Sequence, residues 1–492
     1  MSRQARLQPS ERDFLRLVAS AAFTNPFTDE RAEIDRRIAG ASLPLSADER
    51  VRLLTPRLAQ ELARLGETGR ANVSSHTGED REIVETVIVF HVYHTLLDEL
   101  DHLIQRQLEA GDHPVTVPFA RRALTELRGF GFTHDESLRH FAMLYQLRRA
   151  YYFIGNSLSG DSPCMKDLRR RLWQNVVTHD IRLYARHLMD RMEDFSTLLL
   201  GETGTGKGTA ALAIGRSGPI PFDDKHGRFV ESFTRAFVAI NLSRCPESLI
   251  ESELFGHRKG AFTGAIESHE GVFARCSPHG AIFLDEIGEV SAQVQIKLLE
   301  VLQDRVFSPV GSQDRRRFRG RVVAATNRAL VELRTKGAFR DDFYYRLCSD
   351  MIHVPPLRQR IEEDPAELPK LLDHVIGRMI GDESPVLVEL VLEVIEKDLP
   401  KHYPWPGNVR ELEQAARRIL LTRKYDGDRV DTHGPRGGAK MARELEEGSV
   451  NARALLESYC RHLYEKHGNL AEVARITGLD RRTVKRHAKP AE

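Results

Sequence analysis

Thr197–Leu200 is a short apolar run that breaks into Gly201-Glu202-Thr203-Gly204-Thr205-Gly206-Lys207 and then a helix-compatible stretch. Glycines let the backbone close around a phosphate. The N–H groups at the start of the next helix, with its dipole, favour negative charge there. Lys207 is placed to reach β- and γ-phosphates. The segment therefore predicts a strand, a phosphate-binding loop and a helix, with Gly201, Glu202, Thr203, Gly204, Thr205, Gly206, Lys207 and Gly208 around the nucleotide. The bland alternative is a tight strand-to-helix turn. One departure stands out. Loops of this kind usually follow the lysine with a serine or threonine whose hydroxyl meets Mg²⁺, and this chain has Gly208.

Further aliphatic or β-branched runs recur at Phe237–Ile240, Ala281–Leu284, Val322–Ala325 and Met351–Val354, separated by helical stretches. That alternation predicts a parallel sheet flanked by helices over residues 161–364. The third run ends in Asp285-Glu286. A buried strand delivers Asp285 to the carboxyl edge of the sheet, where Mg²⁺ would sit, and places Glu286 to orient or deprotonate an attacking water. Alone, an apolar run ending in two acids is as often structural; after a phosphate loop at this distance it carries weight. Arg321–Thr326 ends in Asn327, which either senses a γ-phosphate or satisfies the turn.

The 492 residues suggest about three domains. Residues 1–160 read as helical, with Val89, Val92, Leu96, Leu100 and Leu103 as one apolar stripe. His91, His94, Asp98 and His102 lie opposite it, which reads as a solvated polar face before it reads as a metal or signal site. Residues 365–424 are again helical, 425–450 are a glycine-rich, charged linker, and 451–492 are compact and helical. The five cysteines are scattered without metal or redox spacing, so a reducing, cytoplasmic setting is expected. No signal peptide or membrane span is expected; the most apolar stretch, Ile83–Leu103, is broken by His91, His94 and Asp98. The net charge of +1 confines any nucleic-acid surface to a local patch.

Generic nucleotide binding does not require Glu251-Ser252-Glu253-Leu254-Phe255-Gly256-His257-Arg258-Lys259-Gly260-Ala261-Phe262-Thr263-Gly264-Ala265. A phenylalanine between glycines on a loop serves a partner better than a core, unless it is a hairpin tip buried against a neighbouring domain. The segment resembles the sigma-54-contacting loop of the bacterial enhancer-binding activators, a branch of the AAA+ ATPases, and the resemblance runs through about Pro163–Arg423. It implies a P-loop AAA+ domain with a helical lid at 365–424, ATP and Mg²⁺ as cofactors, and Asp285 as the Mg²⁺ carrier. It implies sigma-54 contact by Gly260, Ala261, Phe262, Thr263, Gly264 and Ala265. Arg340 and Arg346 are similar to the family's arginine fingers, which act in the neighbouring subunit's site, so a ring, expected as a hexamer, follows. In Trp405-Pro406-Gly407-Asn408-Val409-Arg410 the resemblance gives Arg410 a nucleotide contact in cis. It gives Asn241 the role of restraining the catalytic glutamate. The family usually has an acid at the position of Gly208, and Gly215–Thr234 and Pro163–Phe195 are longer than its pattern.

Gly468–His487 reads as helix–turn–helix. Ala471, Val473, Ala474 and Ile476 suit a packed helix, Gly478 a turn and Asp480 a cap. The next helix carries Arg481, Arg482, Lys485, Arg486 and Lys489, suited to a phosphate-lined major groove, with Arg482, Thr483 and Arg486 as expected base readers. The segment resembles the Fis-type domain that ends most members of the family. The expected function is thus a sigma-54-dependent activator that binds upstream double-stranded DNA and uses ATP to open promoter complexes of sigma-54 RNA polymerase holoenzyme. A repressor without motor activity and a general AAA+ remodeller are the other readings.

Overall fold

The structure is a computed structural model that describes residues 6–42, 47–427 and 451–488. The linker beyond Gly427 and Lys489 lie outside the described residues. The chain divides into two compact units, Met1–Arg423 and Lys424–Glu492.

At the centre of the first unit is a parallel sheet of five strands in the order β4-β5-β8-β1-β9. These are β1 (Thr197–Leu200), β4 (Phe237–Asn241), β5 (Ala281–Asp285), β8 (Arg321–Thr326) and β9 (Asp350–His353). All five runs expected as strands are present, as an α/β domain with a helical region before it and helices after it. Strand side chains alternate between faces, and the burial follows that period. Leu199, Phe283, Val323, Ala325 and Ile352 face one apolar cluster, whereas Leu198, Ile282, Leu284, Val322 and Ala324 face another. Two short hairpins, β2–β3 (Phe222–Asp223 with Arg228–Phe229) and β6–β7 (Val306–Phe307 with Arg316–Arg317), stand outside the sheet. Helices Glu367–Ile380, Pro385–Asp398 and Asn408–Thr422 follow, over the segment expected as a lid.

The first apolar cluster does not stop at the sheet. It runs without a break from Leu7 through the N-terminal helices to Val354. The long segment after the phosphate-loop helix explains how. Its β2–β3 hairpin lays Phe222 and Phe229 against Phe141 and Tyr145 of helix His134–Ser157. The Val117 N–H donates to Gly227 O at 2.8 Å. The Ser232 hydroxyl donates to Gly111 O at 2.8 Å. What looked in sequence like an oversized connection is a mount for the helical region.

The stretch Ile83–Leu103 is not one helix. Leu96 breaks it into Gly78–Thr95 and Leu97–Ala110. His91 and His94, both on the first of these helices, are buried instead of solvated because that helix is covered on nearly every side, whereas Asp98 and His102 on the second are exposed. Burial pushes His94 down to about 3, with Arg31 nearby acting in the same direction. Among the described residues no group of three or more His, Cys, Asp or Glu side chains is arranged to hold a metal ion, and no helix is long and apolar enough to cross a membrane.

Among the described residues of the unit, Arg149 is the largest fully buried side chain. It comes from helix His134–Ser157 and donates to Arg216 O at 2.6 Å and Gly218 O at 2.7 Å. Those carbonyls lie just past the helix Lys207–Gly215, where a cation also suits the helix dipole. Its guanidinium lies 4.7 Å from the Tyr145 ring centroid, and burial pulls it down to about 10. Arg149→Met keeps the volume but strands two buried carbonyls. The expected cost is on the order of 3 kcal/mol, from two charge-assisted hydrogen bonds. Urea unfolding followed by circular dichroism reads it, and a shift below about 1 kcal/mol would show that water or neighbours replace the latch.

Candidate nucleotide site and interaction loop

The carboxyl ends of β1, β4, β5 and β8 meet at the glycine loop. Gly204 and Gly206 have φ of 81° and 101°, the left-handed region that glycine enters without strain. A Cβ on Gly204 would lie 2.2 Å from Gly407 O, and one on Gly201 2.8 Å from Val354 O. Both positions therefore need glycine for close backbone approach. Lys207 is buried, and its Nζ donates to Gly201 O at 2.8 Å and Glu202 O at 2.9 Å. Burial lowers its pKa, opposed by Glu286 and Asp285. A Cβ on Gly208 would meet only Phe283, at 3.9 Å, so nothing in the packing demands glycine there.

Register brings the acids into place. Asn241 pairs with Asp285 across β4 and β5, and Asn241 Nδ2 donates to Asp285 Oδ2 at 2.8 Å. This differs from the role the resemblance implied, in which Asn241 restrains the glutamate. The parallel pairing sets the ends of β4 and β5 side by side, so the amide reaches Asp285, one residue short of Glu286. Glu286 has a φ of 57°. A non-glycine residue held there stores on the order of 1–3 kcal/mol of strain, as functional sites often do. Burial raises its carboxyl above the usual range, with Lys207 opposing. The Asn327 N–H approaches Glu286 Oε2 at 3.4 Å, and Asn327 Nδ2 donates to Thr203 Oγ1 at 2.8 Å. The side chain of Asn327 thus bridges strand end and phosphate loop.

Sequence reasoning missed the clasp between loop and lid. Glu202 takes both Nη atoms of Arg358, at 2.8 and 2.6 Å. Asn408 is fully buried at a φ of 54°. Its Nδ2 donates to Glu202 Oε2 and to Thr203 O, and its Oδ1 accepts from Leu357 N. The signal was present in Pro406-Gly407-Asn408, since asparagine is among the few residues that tolerate positive φ. Arg410 is exposed beside this clasp and near enough to lower Lys207. Arg340 and Arg346 are elsewhere. Arg340 forks onto Asp342, Arg346 Nε donates to Leu302 O at 2.9 Å, and both are exposed.

The loop at Gly260–Ala265 stands on a stem. His257 and His269 exchange backbone hydrogen bonds at 3.0 and 2.9 Å, and the Arg258 N–H donates to Val310 O. The tip closes through Gly260 N to Ala265 O at 2.8 Å, with Gly260 and Gly264 at φ of 81° and 103°. Phe262 remains 37% exposed, one edge against the His257 ring at 4.9 Å, and Ile266 is 77% exposed. Thr263 is exposed and Ala265 buried. The loop thus presents apolar side chains to solvent instead of tucking them into the unit.

The sigma-54 interaction domain family matches residues 176–353. The transcriptional regulatory protein ZraR of Klebsiella oxytoca is 36% identical over 331 residues, covering 66% of this chain and 67% of its own length. GlrR of Escherichia coli (strain K12) is 32% identical over 343 residues, covering 67% and 70%. The chain belongs to the family of transcriptional regulators that carry the sigma-54 interaction domain. The Nif-specific regulatory protein of Azotobacter vinelandii is a further family member, 43% identical over 273 residues, covering 56% of this chain and 46% of its own. The chain spans about half the length of the nitrogen-fixation regulators it matches. A solved structure of NtrX from Brucella abortus in complex with ATP matches at 22% identity with a TM-score of 0.39, covering 75% of this chain and 79% of that one.

The second unit packs helices Ala452–His467, Leu470–Thr477 and Arg481–Ala488 around Cys460, Leu463, Val473 and Val484. Gly478 has a φ of 71°, and Asp480 Oδ1 caps the third helix through the N–H groups of Arg482 and Thr483 at 2.9 and 3.0 Å. Arg481, Arg482, Lys485 and Arg486 are exposed. The Thr483 hydroxyl bonds Asp480, so this residue serves the cap. Ile476, expected in the packed face, is 38% exposed.

Proposed function

We propose that this family member hydrolyses ATP and applies the resulting motion, through the Phe262 loop, to closed promoter complexes of sigma-54 RNA polymerase, converting them to open ones. The observation that carries the reading is an exposed aromatic loop on the same sheet-based core whose strand ends hold Asp285 and Glu286 against a phosphate loop. The loop N–H groups and Lys207 bind the phosphates, and Arg410 and the Glu202–Arg358–Asn408 clasp close the lid on the nucleotide. Glu286, a carboxylate raised by burial, takes the proton of the attacking water as its oxygen bonds the γ-phosphorus and the bond to ADP breaks. Asn327 holds the strand end to Thr203 so that the γ-phosphate state is felt there. Asp285, fixed by Asn241, is the group that would hold Mg²⁺, which supplies charge neutralisation on the phosphates; Gly208 brings no hydroxyl to it. Arg340 and Arg346 complete the site of the next subunit in a ring, expected as a hexamer.

The C-terminal unit anchors the chain to double-stranded DNA, with Arg482 and Arg486 at base edges and Arg481 and Lys485 toward phosphates. Deleting Asn451–Glu492 is expected to abolish specific DNA binding and leave ATPase activity measurable. Binding by the full chain should weaken steeply with salt as phosphate contacts release counterions. Full binding by the truncated chain, or binding indifferent to salt, would contradict the assignment. ATPase activity measured with and without sigma-54 tests the whole reading. Activity absent in both conditions points to a repressor that kept the fold, and activity with no sigma-54 engagement to a general remodeller.

A further inference from the structure

The helical region contains a cleft of about 1040 Å³, a volume suited to a small-molecule ligand. Its walls come from helices Pro9–Phe23, Gly78–Thr95, His134–Ser157 and Pro163–Val177. Phe23, Phe90, Leu144 and Trp173 give it an apolar lining. Two little-exposed cations of the lining are already matched. Arg31 is paired with Asp35 at 2.8 Å, and Arg148 grips Asp101 through Nε and Nη2. A charged guest seated among these pairs would meet no unpaired partner and would lose its hydration for nothing, whereas Arg52 and Asp98 lie on the exposed side of the lining.

One wall group is unsatisfied. His94 is 9% exposed and lines the cleft. Its Nδ1 lies 2.7 Å from Phe90 O. A carbonyl only accepts, so Nδ1 carries the proton and Nε2 is a bare acceptor. Nε2 makes no hydrogen bond among the described residues. Because burial keeps this imidazole neutral at physiological pH, the acceptor is permanent.

We propose that this cleft binds a small, uncharged, largely apolar molecule carrying one N–H or O–H donor, received by Nε2 of His94. The placement has consequences beyond the cleft. Helix His134–Ser157 turns Met143, Leu144 and Leu147 into the cleft, while its Gln146 and Arg149 hold the carbonyls of Arg216, Ser217 and Gly218. One rigid element thus joins the ligand cleft to the end of the phosphate-loop helix. The assignment does not depend on what the nucleotide site does.

N-phenyl-1-naphthylamine, an uncharged aromatic probe with a single N–H donor, tests it on the full-length chain. Its fluorescence should rise saturably to one site per chain. Ala22→Trp, which fills the cleft, and His94→Phe, which removes the acceptor, should each weaken binding at least tenfold. In the wild-type chain, saturating probe should also slow carbethoxylation of His94 by diethyl pyrocarbonate at least tenfold, read by peptide mass spectrometry. Non-saturable binding, no binding, unchanged affinity in either variant that folds, or an unprotected His94 overturns the proposal.

Discussion

Arg346→Ala is expected to lower ATP turnover about a thousandfold while nucleotide affinity stays close to wild type, the magnitude found for arginine groups that act on a transferred phosphoryl. The geometry separates the two effects. Arg346 is exposed on helix Asp341–Leu347 and its Nε reaches Leu302 O, not the glycine loop of its own chain. The proposed phosphate-binding set, Gly201–Lys207 with Arg410, does not include it. If, as proposed, its guanidinium acts in the site of a second subunit, wild-type specific activity should rise with protein concentration as rings assemble. Arg340 faces a further requirement. Its fork onto Asp342 has to open before it reaches another site, which makes Arg346 the cleaner test. Specific activity that stays flat across the assembly range, or a mutant that turns over normally, contradicts action in trans.

Phe262→Ala is expected to abolish engagement of sigma-54 in the presence of ADP–aluminium fluoride while folding, assembly and ATP hydrolysis persist. Phe262 is 37% exposed on a tip closed by its own backbone bonds, and its ring touches His257 and not the core. Removing it leaves little cavity, so stability should hold. Burial of an aromatic anchor on a partner contributes roughly 2 kcal/mol or more, enough to decide a transient contact. Native-gel binding and an ATPase assay on one preparation separate the outcomes. Wild-type binding by the mutant contradicts the loop's role, and lost hydrolysis makes Phe262 part of the motor's own structure.

Much of this arrangement was legible in the residues. The five β-runs, the glycine loop and the acids at a strand end obey local rules, period-two burial and glycine-enabled backbone approach, that act within a few residues. The Asp480 cap and Gly478 turn were legible for the same reason. What escaped was long-range. Nothing local says that Glu202 pairs with Arg358, about 156 residues away, or that Asn408 stitches loop to lid. Helical periodicity put His91 and His94 on a solvated face, but helix Gly78–Thr95 is enclosed on nearly every side by helices distant in the chain, which local spacing does not show. The segment Gly215–Thr234 was visible only as excess length; its purpose as a mount depends on Phe141, Tyr145 and Val117, far off in the chain.

Promoter opening is the central claim, and permanganate footprinting of a sigma-54 promoter carrying holoenzyme measures it most directly. With the full-length chain and ATP, thymines around the start site should become reactive. They should stay protected with a non-hydrolysable ATP analogue, with the Glu286→Gln variant, or without the chain. Reactivity that appears without hydrolysis, or none with the active wild-type chain, would contradict the account.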